Sequence, residues 1–100
     1  MLESMTLETF APRIGERFRL LADAEQAIDV TLIEASALGG GTSAPATRRT
    51  PFSLVFLGPP APVWPQRIYR LEHEAVGSCD LFLVPIGPRD RGMQYQAIFT

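Results

Sequence analysis

The chain has 100 residues, of which 46% are apolar and 20% are charged, and its formal net charge is −2. This length suits one domain with a small core, and the composition is that of a globular protein. All nine basic residues are arginine, which excludes a P-loop lysine and a Schiff-base lysine. Because the chain has no basic surplus, we expect no nucleic-acid binding.

The single cysteine, Cys79, cannot form an intrachain disulfide, which suits a reducing compartment. The N-terminal stretch "MLESMTLETF" lacks the basic start and apolar centre of a signal peptide. No apolar run approaches the roughly 20 residues that a membrane-spanning helix requires. We therefore expect a cytoplasmic protein that does not interact with membranes.

Only the first segment has helical periodicity. Apolar residues recur there at spacings of three and four behind a cap-competent Thr6, which predicts a short helix over residues 6–14. Its packed face would comprise Leu7, Phe10 and Ile14. Pro12 and Gly15 should end it, because proline lacks the donor that continues a helix and glycine favours a turn.

From residue 16 onward the period changes to two, which is typical of β-strands. Six short runs show it or are apolar throughout: "ERFRLLA", "IDVTLIEA", "FSLVFLG", "QRIYRLEH", "DLFLVPI" and "MQYQAIF". They predict a mainly β domain over 16–99, with about six antiparallel strands in a small barrel or sandwich and the helix packed on it. "DLFLVPI" is apolar on both faces, which predicts a strand covered on both sides. Residues 1–100 would thus form a single domain.

Residues 70–80, "RLEHEAVGSCD", contain the single histidine and the single cysteine. In a strand, consecutive side chains point to opposite faces, so Glu72 and Glu74 would point away from His73. No other histidine is present to complete a zinc set. We therefore expect no metal site and no cofactor.

A thiol–imidazole pair is compatible with the same stretch. Pairing Leu71 with Leu81 keeps the apolar faces together, and it places His73 opposite Cys79 with Cβ atoms about 5 Å apart. A slipped register with His73 opposite Asp80 is equally compatible, because the following strand is apolar on both faces. No nucleophile elbow or helix start is present to activate the thiol. We therefore expect no catalytic residues and favour a plain hairpin, with the histidine closing its tip and the cysteine packed as a small apolar residue.

Two connections between strands are candidates for binding. Residues 36–50 end in Arg48 and Arg49, which could bind a partner's carboxylate or phosphate bidentately, although a solvated loop is the simpler interpretation. Residues 58–66, "GPPAPVWPQ", contain Trp64. We favour its folding back to cap the barrel, but an exposed tryptophan in a proline-rich loop is also the best single candidate for a protein interface.

The pattern as a whole resembles a bacterial family of proteins of unknown function and similar length. The resemblance covers nearly the whole chain and is most specific in "PFSLVFLGP", "IYRLEH" and "LFLVPIGP". It implies a small β fold, and it implies gene neighbours of the phage-tail-collar type. The family supplies no catalytic residues to transfer.

Together these observations favour a non-enzymatic protein-interaction or assembly-accessory domain, of a phage-tail-like kind. We expect it to bind a protein partner or to self-associate through an unpaired edge of the sheet. The alternative is a small-ligand-binding barrel, with a polar mouth formed by Tyr69, His73 and Tyr95.

Overall fold

A computed structural model describes residues 6–23, 25–38 and 51–99. Within these ranges a helix, α1 (Leu7–Phe10), continues as a 3₁₀ turn (Ala11–Arg13) and is followed by six strands. The strands are β1 (Arg17–Leu21), β2 (Ala27–Ala37), β3 (Phe52–Gly58), β4 (Arg67–His73), β5 (Gly77–Arg89) and β6 (Gly92–Phe99). The prediction of a mainly β fold with about six strands and a short N-terminal helix is confirmed.

The sheet closes on itself as a barrel. Its strand order is β1-β2-β3-β6-β5-β4, every neighbouring pair is antiparallel, and β1 pairs with β4 through Arg19↔Glu72, Leu20↔Leu71 and Leu21↔Arg70. The expectation of an unpaired sheet edge is therefore wrong. Because the barrel is closed, the backbone N–H and C=O groups of β1 and β4 pair with each other, whereas the edge strands of an open sandwich would leave such groups unpaired.

The helix is shorter than predicted and packs differently. It begins after Thr6, whose N–H donates to Thr9 Oγ1 at 3.1 Å, and Phe10 is fully buried. Beyond it the helix tightens to a 3₁₀ turn that contains Pro12. Ile14 is 49% exposed, so its predicted place on the packed face is wrong. The backbone of Ile14 is extended. The next residue, Gly15, has a left-handed conformation with φ 95°, and its N–H donates to the Leu32 carbonyl of β2.

Five of the six phenylalanines form the centre of the core. Phe10 enters one end of the barrel, with its ring centroid 5.7 Å from Phe99, 6.1 Å from Phe52 and 6.4 Å from Phe18. Phe52 and Phe99 are cross-strand partners and stack with centroids 4.5 Å apart. Truncating a buried phenylalanine of this kind typically costs about 3–5 kcal/mol, so this cluster attaches the helix firmly to the barrel.

A β-bulge in β2 explains the position of Glu34. Leu32 pairs with Phe56 and Glu34 pairs with Val55, so Ile33 is an extra residue between them. In a regular strand, Glu34 would point to the same side as the buried Leu32, two residues earlier. The extra residue reverses the side to which the following residues point, so the Glu34 side chain lies outside the barrel.

The sixth phenylalanine, Phe82, lies on the outer wall of β5 and is 51% exposed. The prediction that this strand is covered on both faces is therefore wrong. The helix packs against β2, and no element among the described residues covers the outside of β5. The second apolar face of this strand is a surface.

Candidate functional site

The β4–β5 hairpin has a register that differs from both predicted alternatives. His73 pairs with Gly77 and Leu71 pairs with Cys79, so the pairings of the histidine with the cysteine and with Asp80 are both wrong. The loop consists of residues 74–76, and the glycine after it has φ 92°. A three-residue loop followed by a left-handed residue is a common hairpin geometry, and it sets this register.

Both ring nitrogens of His73 are engaged. Nδ1 accepts hydrogen bonds from the N–H groups of Ala75 at 3.0 Å and Val76 at 3.3 Å. Because Nδ1 accepts, the ring proton lies on Nε2, which donates to Glu16 Oε1 at 2.7 Å. The ring also lies 4.4 Å from the Phe18 ring, centroid to centroid. The histidine therefore closes the hairpin tip and joins it to the segment before β1, as expected for the tip.

Cys79 is packed as a small apolar residue in the core and is 7% exposed. Burial raises the pKa of its thiol to about 11, and the neighbouring Asp80 carboxylate acts in the same direction. A catalytic thiol requires the opposite shift, toward the thiolate. Since the ring nitrogens of the histidine are occupied and the thiol stays protonated, the two residues do not form a nucleophile–base pair.

A cleft of about 630 Å³ opens beside His73 on the outer side of β1 and β4. Its walls carry the guanidinium groups of Arg17 and Arg19 and the carboxylates of Asp29, Glu72 and Glu74. The volume falls in the range of small-molecule sites, but the cleft is shallow and widely open to solvent. Because its walls include charges of both signs, however, the cleft does not select strongly for either an anion or a cation.

The proline-rich loop folds back on the opposite end of the barrel. The backbone N–H of Trp64 donates to the Tyr95 hydroxyl at 2.9 Å, and the Tyr69 hydroxyl donates to the Pro65 carbonyl. The rings of Trp64 and Tyr69 stack with centroids 5.2 Å apart, and the Arg67 guanidinium lies 5.4 Å from the centre of the Tyr69 ring. Burial raises the pKa of Tyr69, and the arginine opposes this in part. These contacts are those of a cap on the barrel.

The structure does not bring the predicted polar mouth together. The hydroxyls of Tyr69 and Tyr95 hold the loop, and His73 lies four residues further along β4, about 13 Å away at the rise of a strand. Arg48 and Arg49 lie outside the described residues.

An apolar row on the outer wall was missed by the sequence reasoning. Ile68 and Phe82 are direct cross-strand partners and are 62% and 51% exposed. Ile98 is 56% exposed and follows Ala97 on β6, and Phe82 precedes Leu83 on β5. Because Leu83 and Ala97 are paired and the two strands are antiparallel, Phe82 and Ile98 lie opposite each other. The three exposed side chains therefore lie side by side on β4, β5 and β6. The available signal was the second apolar face of "DLFLVPI", which was interpreted as buried.

A salt bridge borders this apolar row. Arg70 and Asp80 are the next outward-facing partners on β4 and β5, and their Nε and Oδ1 atoms are 3.6 Å apart. Both side chains are more than half exposed, so the pair contributes little to folding stability. This bordering pair thus contributes one positive and one negative charge.

No three histidine, cysteine or acidic side chains converge on a common point in the described ranges, so these ranges offer no metal site. None of the described helical segments is long and apolar enough to cross a bilayer.

The chain matches the family described as "Domain of unknown function (DUF6916)" over residues 5–99. Neither a curated protein nor a solved structure matches it.

Proposed function

We propose that this chain, which belongs to the DUF6916 family of domains of unknown function, is a non-enzymatic protein-interaction domain. Its binding surface is the apolar row formed by Ile68, Phe82 and Ile98 on the outer wall of the barrel. Because the sequence resembles a bacterial family with gene neighbours of the phage-tail-collar type, we propose that the domain acts in the bacterial cytoplasm. Its proposed role there is that of an accessory in the assembly of a phage-tail-like particle.

The observation that carries the proposal is the contrast among the phenylalanines. Five are buried at 4% exposure or less, whereas Phe82 is 51% exposed between two isoleucines that are more exposed still. Single exposed apolar residues are common on monomeric proteins, but a contiguous row of large ones is typical of an interaction site. Aromatic anchors of this kind contribute most of the energy in protein interfaces.

The three side chains of the row are all hydrocarbon, so they can bind a partner by apolar contact but not by hydrogen bonds or charges. The next outward-facing pair on β4 and β5, Arg70 and Asp80, carries opposite charges that neutralise each other. The complementary partner surface is therefore apolar at its centre, with a carboxylate and a basic group at its border.

The test is site-specific photo-crosslinking in the host cell. A benzophenone side chain at Phe82 should give one discrete covalent adduct, whereas the same group at Ile14 should give none. Ile14 is the matched control because it is 49% exposed and lies outside the row. Binding of the identified species, reconstituted from purified components, should be lost in Phe82→Ser and retained in Ile14→Ser. Absence of any adduct at Phe82 would count against the proposal.

Small-ligand binding is the second candidate, and the cleft of about 630 Å³ beside His73 favours it. A ligand suited to this cleft would carry charges of both signs, for its walls hold both. Titration with small zwitterions, followed by amide NMR shifts, should then perturb Arg17, Arg19 and Gly77 together. If these amides do not respond, ligand binding in this cleft is excluded.

A further inference from the structure

We infer that the occupant of the apolar row is a second copy of this chain, bound about a two-fold axis that runs parallel to the strands between β4 and β5. The inference rests on the proposed function and specifies its partner. It follows from the order in which apolar and charged side chains alternate on these two strands.

The two strands carry an apolar pair and a charged pair in adjacent positions on the outer face. Ile68 is opposite Phe82, and two residues further along Arg70 is opposite Asp80. A two-fold axis between the strands exchanges β4 and β5 across the interface without moving either pair along the strand direction. Ile68 of one copy then faces Phe82 of the other.

The same rotation makes the charges complementary. Arg70 of each copy faces Asp80 of the other, so the arrangement forms two intermolecular ion pairs. A partner that places a like charge against either residue binds less well, because like charges repel across an interface. A second copy meets both with opposite charges by symmetry. At a net charge of −2, two copies repel each other only weakly.

A recess lies where the third apolar side chain arrives. A cleft of about 400 Å³ adjoins Ile68 on its β1 side. Its wall is apolar at Leu21 and Ala22, and it also includes the charged residues Asp23, Arg70, Glu72 and Asp80. Ile98 lies one strand beyond Phe82, so the rotation carries it toward the β1 side of the other copy. The rotation therefore brings a protruding apolar side chain toward a recess whose wall is apolar at Leu21 and Ala22 and acidic at Asp23.

The dimer should be weak. Specific interfaces bury about 800 Å² on each partner, which is about 13% of the 6171 Å² accessible surface of this chain. Three large side chains on the convex wall of a barrel supply less than that, so we expect a dissociation constant in the micromolar range.

Sedimentation equilibrium over a wide range of concentrations tests the inference. The wild-type chain should show a concentration-dependent monomer–dimer equilibrium. Phe82→Ser should raise the dissociation constant by at least about tenfold, and Ile14→Ser should change it by less than about twofold. Both replaced side chains are about half exposed, so circular dichroism should confirm that both variants fold.

A charge reversal tests the axis itself. Arg70→Asp and Asp80→Arg should each weaken self-association, because each puts like charges together twice. An equimolar mixture of the two variants should associate again, since every reversed charge then meets an opposite one in the other molecule. A mere loss of the salt bridge within one chain would not be repaired by mixing.

The outcomes separate this inference from the proposed function. A wild-type chain that is monomeric at about 500 µM, or a mixture that fails to associate, overturns the second copy as the occupant. If a different protein is then cross-linked at Phe82 and its binding is lost in Phe82→Ser, the interaction proposal still stands. A monomeric chain with no adduct at Phe82 overturns both.

Discussion

His73 Nε2 lies 2.7 Å from Glu16 Oε1 and joins two segments that are 57 residues apart in the sequence. The same ring accepts two backbone N–H groups at the hairpin tip through Nδ1. The histidine therefore serves two separate structural roles through its two nitrogens. One role is local, within the β4–β5 turn, and the other joins the turn to the start of β1.

Substitutions at His73 should separate these two roles. His73→Ala loses both and should lower the free energy of unfolding by about 1–3 kcal/mol. His73→Asn keeps an acceptor near the Nδ1 position, and His73→Gln keeps a donor near the Nε2 position, so each should lose about half as much. Urea denaturation measures the differences, with the exposed Glu74→Ala as a control that should change stability by less than about 0.5 kcal/mol. Equal losses in all three variants would contradict the two-role assignment.

The buried thiol of Cys79 should make stability depend on alkaline pH. Its pKa is raised from 9.0 to about 11 in the folded chain, chiefly by burial. Below pH 9.0 both states hold the proton and the contribution is complete. Between there and about pH 11 the unfolded chain loses the proton first, so the free energy of unfolding falls, by at most about 1.4 kcal/mol per pH unit.

Urea denaturation at several alkaline pH values, compared with Cys79→Ala, isolates this contribution from that of the tyrosines. The wild-type chain should lose more stability than the variant over the same interval. Thiol labelling of the folded protein should also be slow, and it should become fast in urea. Rapid labelling of the native chain near neutral pH would contradict the assignment.

Gly92 should not tolerate a side chain. A Cβ atom there would lie 2.5 Å from the Gly58 carbonyl oxygen, which belongs to the backbone of β3 and cannot move without disturbing the barrel. Gly92→Ala should therefore lower the free energy of unfolding by about 1–3 kcal/mol. Gly58→Ala is the comparison, since its nearest contact is the Val30 Cγ1 methyl at 3.1 Å, and thermal denaturation should show the smaller loss there. The reverse order would contradict this explanation.

Tyr95 should control the position of the proline-rich loop. Tyr95→Phe removes the acceptor for the backbone N–H of Trp64 and should lower the free energy of unfolding by about 1 kcal/mol. Because Trp64 is the single tryptophan, its fluorescence reports on the loop directly. The emission should shift to longer wavelength and acrylamide quenching should increase. Phe82→Ser, on the outer wall, should leave both signals unchanged, and an unchanged signal in Tyr95→Phe would show that other contacts hold the loop.

The strands could be predicted because their signal is local. "FSLVFLG" coincides with β3, and "MQYQAIF" misses only the first residue of β6. The alternation of "MQYQAIF" reflects one buried and one more exposed face of β6. β3 is buried on both faces, and its short apolar run is an equally local signal. The capping role of Trp64 was the favoured prediction for the same kind of reason, since a short, stiff connection has little freedom to leave the barrel.

The hairpin register needed more than alternation. Because the strand after Asp80 is apolar on both faces, alternation alone allowed more than one pairing of His73. The left-handed Gly77 and the three-residue loop before it decide which pairing forms. That glycine was the one signal in the sequence that could have identified the register.

The sequence by itself determined the fold class, the short helix, the strand positions and the absence of a lysine-based chemistry, since each depends on composition or on neighbours in the chain. Only the tertiary structure decided that β1 meets β4, that Glu16 meets His73, and that the second apolar face of β5 is exposed. These depend on how six twisted strands curve and close, which joins residues far apart in sequence. The apolar row that we propose as the binding surface exists because the registers of the β4–β5 and β5–β6 hairpins align Ile68, Phe82 and Ile98 on the outer wall, where nothing described covers them.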